Sequence, residues 1–127
     1  MATTMKFNYL YRDAGNYKKW GEVTFANSER MTVEEVFARL TKAFDSGSLF
    51  IASQIDIPEV FLFPEWDLSI DDHCFHEFVS VELSEESPSD KRGRTIKTFI
   101  EEVESQSKQS WLVFDPFSRA LKAKNPI

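Results

Sequence analysis

One cysteine, Cys74, stands in 127 residues, so no disulfide can form within the chain and the fold must close on its hydrophobic core alone. No apolar run approaches the roughly 18 residues that span a bilayer, and no basic amphipathic stretch offers a membrane-surface helix. The opening MATTMKFNYLYRD lacks the apolar centre of a secretory signal. These absences set the expectation of a cytoplasmic protein with no membrane partner. Glycine is scarce, at four residues, and neither a glycine-rich phosphate loop nor a GxSxG or HExxH pattern occurs.

Cations are absent where they would matter most. Residues 43–90 hold twelve acids and no lysine or arginine, whereas residues 1–42 hold seven cations and five acids, and residues 91–127 eight cations and four acids. The net charge of −6 is therefore segregated along the chain. Exposed, the middle segment would repel nucleic acid and attract a basic partner; the alternative is that both basic ends fold across it.

At 42% hydrophobic, the chain is long enough to bury roughly two-thirds of its unfolded surface as one domain spanning 1–127. Met5 is a possible start, with residues 1–4 an extension. Phe7, Tyr9 and Tyr11 alternate with Lys6, Asn8, Leu10 and Arg12, the period of a strand. A turn at Gly15 and Asn16 returns the chain through WGEVTFAN, which predicts a hairpin. MTVEEVFARLTKAF predicts a helix capped by Thr32 and Glu35, with Val33, Val36, Phe37, Leu40 and Phe44 on one stripe and Asp45, Ser46 and Gly47 ending it. Strands are expected at SLFIASQI, at VFLF after Pro58, and through FHEFVSVEL. A second helix follows in RTIKTFIEEVESQ, with Thr95 as cap and Ile96, Phe99, Ile100 and Val103 buried. WLVF reads as a last strand, and Asp115 and Pro116 open a last helix. The order predicts an α+β fold, a mostly antiparallel sheet of about five or six strands packed with two to three helices.

The densest group of reactive side chains is DDHCFHEF, residues 71–78. Metal ligands must converge on one point, and Asp71, Asp72, His73, His76 and Glu77 carry the right atoms for a metal-dependent hydrolase. On an extended strand they split between two faces, and His73 and Glu77 stand roughly 13 Å apart. The chain has no other histidine or cysteine to complete a zinc site. The plainer expectation is a strand with Phe75, Val79, Val81 and Leu83 facing the core. Glu77, on that same face, would then need a partner such as Arg12, Arg39 or a tyrosine hydroxyl. Cys74 and His76 share the other face without an orienting third group, so a nucleophilic pair is not completed.

Three surfaces are candidates for binding. PEVFLFPEWDLSIDD sets Glu65, Trp66, Asp67, Asp71 and Asp72 beside Phe61 and Phe63, and carboxylates spaced around an aromatic anchor can imitate nucleic acid toward a basic protein. The hairpin gathers Tyr9, Tyr11, Arg12, Asn16, Tyr17 and Trp20, able to stack on a base. KRGRT puts Arg92, Arg94 and Thr95 at a helix start, where phosphate is favoured.

YRDAGNYKKWGEVTFAN, LSIDDHCFHEFVSVELSEE and RTIKTFIEEVE together resemble a family of small bacterial cytoplasmic proteins to which no activity is attached. The resemblance covers roughly residues 5–104 and transfers no catalytic residue. Residues 105–127 go beyond it, as an addition suited to a role such as self-association. The leading expectation is a non-enzymatic interaction domain, inhibitor or nucleic-acid mimic acting on a basic protein through the acidic–aromatic surface. A small-ligand binder for a nucleotide or phosphate is the second and a metal-dependent hydrolase the third. No cofactor is implied, and a homo-oligomer is possible.

Overall fold

The computed structural model describes residues 3–13, 15–61, 73–116 and 119. Strand β1 (Thr4–Arg12) runs into β2 (Lys18–Ala26) through a tight reversal. In it Asn16 takes a positive φ of 68° and its N–H donates to the Asp13 carbonyl. Helix α1 (Val33–Ala43) follows, then β3 (Leu49–Phe50), a single 3-10 turn (Ala52–Ile55), β4 (His76–Ser84) and helix α2 (Ile96–Gln109). The four described strands form one antiparallel sheet in the order β2-β1-β4-β3, so the fold is α+β. Among the described residues no helix is long and apolar enough to cross a membrane.

Both helices form where their caps predict, but the stripe of α1 is narrower than expected: Phe37 lies on its flank, its ring against Phe78 and its surface exposed. The Thr32 hydroxyl accepts from the Glu35 N–H as the helix cap and also donates to the Glu35 carboxylate; the backbone N–H bond that would complete the expected capping box is not among these contacts. Thr95 accepts from the Thr98 N–H at the start of α2. Val36 and Leu40 of α1 meet Ile96, Phe99, Ile100 and Val103 of α2 in one core with Met5, Phe7, Tyr9, Val23 and Phe25 from the sheet. Phe7 lies at its centre, stacked on Phe78 at 5.2 Å and edge-on to Phe44, Phe50 and Phe99. Opposite Tyr9 in the ladder is Gly21. A Cβ there would lie 2.7 Å from the Tyr9 ring, so glycine makes room for a tyrosine whose hydroxyl donates to the Pro58 carbonyl at 2.6 Å.

Several expectations require correction. SLFIASQI is a strand only at Leu49–Phe50; it then turns into the 3-10 segment, ending on Asp56 with φ 56°. That turn presents the carbonyls of Ile55 and Asp56 to the Arg94 guanidinium, a demand from 38 residues away or more that local pattern does not carry. Residues 59–61 form no strand, and 62–63 lie outside the described residues. WLVF is likewise no strand: Leu112 and Val113 are exposed, and the Leu112 N–H donates to the Gln54 side chain rather than to a neighbouring strand. Of the last expected helix, Pro116 and Arg119 are helical, with the Arg119 N–H donating to the Asp115 carbonyl.

The facing of β4 also differs. Its inward residues are His76, Phe78 and Val81, with Val79 and Leu83 exposed. The pairing with β1 slips between Asn8 and Tyr9, opposite Ser80 and Phe78, which leaves Val79 as an extra residue. One such bulge changes which parity faces the core.

Candidate functional site

The acidic middle segment is bound by cations from both ends of the chain. Arg12 meets Glu77 through two bonds, Lys6 pairs with Glu86, Lys91 and Arg92 approach Asp56, Arg94 holds Asp90, and Arg119 holds Glu59 through two bonds. The basic ends therefore fold across it, leaving these five carboxylates neutralised within the chain. Glu77 finds one of the partners its position asks for, Arg12.

The two histidines of DDHCFHEF serve the backbone. His73 Nε2 lies 2.7 Å from the Arg12 carbonyl and its Nδ1 accepts from the Phe75 N–H, so both ring nitrogens are occupied and the proton belongs on Nε2. His76 is fully buried, among Tyr9, Tyr11, Phe50 and Phe61. Its Nε2 accepts from the Val60 N–H at 3.0 Å, which places the proton on Nδ1. Burial pulls the imidazole down to about 4, the Cys74 carbonyl opposing this only in part. Cys74 is buried, its thiol pushed up by burial, and its Sγ accepts from the Phe114 N–H. Neutral thiol and neutral imidazole suit a packed edge rather than an activated nucleophile. Asp71 and Asp72 lie outside the described residues, and among those described no three His, Cys, Asp or Glu side chains gather to hold an ion.

The KRGRT residues are also drawn inward. Arg94 is 5% exposed, and its guanidinium donates to both Asp90 oxygens, to Glu102 and to the carbonyls of Ile55 and Asp56. Its plane lies over Phe25 and Phe99. Arg92 grips Glu102 through two bonds, and Thr95 is spent on its own helix cap. Arg94 thus ties the loop before α2, the 3-10 turn and the sheet together.

The hairpin residues divide in two. Tyr9 and Tyr11 are interior, with no exposed surface, and burial raises the Tyr9 phenol. Arg12 bonds Asn16 as well as Glu77. Tyr17 and Trp20 remain outside, 71% and 60% exposed. These positions therefore do not converge into one pocket with Arg92, Arg94 and Thr95. What they leave is the outer side of the sheet. The helices pack on the face bearing Phe7, Val23 and Phe25. The opposite face carries Lys6, Asn8 and Arg12 of β1, Lys18, Trp20 and Glu22 of β2, and Ser80 of β4, as the cross-strand register requires.

On this face Asn8, Trp20, Gly21, Glu22, Val79 and Ser80 line a shallow trough of about 470 Å³. The Asn8 amide donates to the Ser80 hydroxyl across its floor at 3.2 Å. Trp20 and the bulge residue Val79 supply apolar surface, and Lys6 lies within 3.5 Å of Glu22. Asn8, Val79 and Ser80 were not among the residues expected at a site. Asn8 was visible as the outward member of an alternating strand, but Val79 reaches the surface only through the bulge.

The described residues define an α+β domain whose sheet is covered by helices on one side and carries a tryptophan trough on the other. No family model, curated protein or solved structure matches the chain.

Proposed function

We propose that the chain is a protein-interaction domain that docks its partner on the outer face of the sheet, anchored by Trp20. The observation that carries this is the 60% exposure of Trp20 within a trough whose polar lining, Asn8, Ser80 and Glu22, is already organised by its own contacts. An indole is costly to leave in water and is the side chain most often found at the energetic centre of protein interfaces. Lysines and glutamate alternate around it, a mixed rim that suits a polypeptide better than a polyanion. The acidic–aromatic surface expected at Glu65, Trp66, Asp67, Asp71 and Asp72 lies outside the described residues, and five carboxylates of the same acidic segment are paired internally. The same class of function, binding of a protein, therefore finds its support at Trp20.

The test is a photo-crosslinking amino acid placed at position 20 and, as control, at the equally exposed Leu112, in cells that make the protein. Position 20 should give a discrete adduct that position 112 does not. The purified partner should then bind the Trp20→Ala variant at least about tenfold more weakly, the loss of roughly 2 kcal/mol typical of a central tryptophan, with the melting temperature unchanged. Equal adducts from both positions, or full affinity in Trp20→Ala, would remove the sheet face as the docking surface.

A further inference from the structure

The free edge of β2 supports a specific partner. Thr24 directs its N–H to the Ser89 hydroxyl, and its carbonyl accepts from the Ser89 and Asp90 N–H groups. Ala26 bridges to Thr95. The residues of β2 whose backbone groups point away from β1 are therefore the even ones, since alternate residues of a strand bond to opposite sides. Toward its C-terminal end that edge is closed by the chain's own loop. Toward the hairpin, Lys18, Trp20 and Glu22 present outward N–H and carbonyl groups with no backbone partner among the described residues, and all three side chains are exposed. Unpaired edge groups of this kind template the addition of another strand.

The side chains along this edge are self-complementary. Set two copies of β2 antiparallel about a two-fold axis at Trp20, and Trp20 faces Trp20 while Lys18 of each copy faces Glu22 of the other. All three residues direct their backbone groups to the same side, so each opposed pair exchanges two hydrogen bonds. The closed edge at Thr24 and the reversal at Asn16 bound the ladder at both ends. We infer that two copies of this chain pair antiparallel through Lys18–Glu22 of β2, joining their sheets into one of eight described strands with the two Trp20 rings adjacent on the outer face. The inference shares Trp20 with the docking surface proposed above but rests on the backbone edge and its charge order, and the two fail separately. A ladder this short makes a small interface, so association should depend on concentration.

The test is sedimentation equilibrium of the full chain from micromolar to about millimolar concentration. The wild type should pass from monomer to dimer. Lys18→Glu and Glu22→Lys each turn both symmetric ion pairs into like-charge pairs and should weaken the dimer at least about tenfold. The double variant Lys18→Glu/Glu22→Lys restores opposite charges across the two-fold axis and should recover most of the loss. A monomer throughout the range, a dimer indifferent to either single substitution, or a double variant no tighter than the singles would overturn the pairing. None of those results would alter the outcome of crosslinking to a different protein from position 20. Circular dichroism confirms that each variant remains folded.

Discussion

Arg94→Met should lower the stability of the fold by about 3–5 kcal/mol at neutral pH, read from the midpoint of a urea titration. The size follows from what stays behind. Asp90 is 9% exposed, and Arg94 satisfies both of its oxygens and also donates its own backbone N–H to one of them. Burial works against the Asp90 charge, yet the Arg94 bonds outweigh it and hold its pKa below the usual carboxylate range. Without the guanidinium that charge is stranded, the carbonyls of Ile55 and Asp56 lose their donors, and Phe25 and Phe99 lose the plane packed on them. Methionine keeps part of the apolar stem but none of the five donors. The double variant Asp90→Asn/Arg94→Met should therefore be more stable than Arg94→Met alone, because it removes the unpaired charge. A loss below about 1 kcal/mol for Arg94→Met would mean that the network is not structural.

The second large effect is a loss of stability on mild acidification, through His76. Its folded pKa of about 4 lies below the ordinary histidine value near 6.5. Between these two pH values the unfolded chain binds a proton that the folded chain refuses, so stability falls as pH falls. The contribution is fully present above about pH 6.5 and exhausted below about pH 4. It amounts to about 2 kcal/mol lost between pH 7 and pH 5, and about 3 kcal/mol in all. Glu86 and Glu104, held below the usual carboxylate range by their bonds to Lys6 and Arg39, lose that pairing only at lower pH and add to the fall at its acid end. In a His76→Gln variant, whatever its stability at pH 7, the slope between pH 6.5 and pH 5 should flatten; an unchanged slope would show that His76 does not titrate with unfolding.

The elements that local chemistry specifies were legible in the sequence. The Thr32 cap, the stripe Ile96, Phe99, Ile100 and Val103, and the hairpin over Asn16 each depend on residues within a few positions of one another, and each is present. The split charge pattern was legible too, but its resolution required knowing that Arg119 reaches Glu59 and Arg12 reaches Glu77, contacts across about 60 positions. What failed did so for long-range reasons. A bulge at Val79, set by pairing with β1, turned His76 and Phe78 inward in place of the expected odd residues, while Val81 beyond it kept the expected facing. Arg94, which resembles a phosphate ligand in KRGRT, is instead the buried counterion of Asp90. Tyr9 and Tyr11 share the hairpin with Trp20, yet the register sends the first two into the core and the third to solvent. The candidate site was therefore half visible: Trp20 stood out as an aromatic among lysines, whereas the open backbone beside it depends on where residues 89 and 90 close the edge.

The central claim is that this edge, next to Trp20, is open and ready to pair. Residue-resolved amide hydrogen exchange on dilute, monomeric protein tests it most directly. The amides of Lys19, Gly21 and Val23, which point toward β1, should be protected, and those of Lys18, Trp20 and Glu22 should exchange orders of magnitude faster. Equal protection of all six amides, or the opposite alternation, would show that the edge is already covered and would contradict the account.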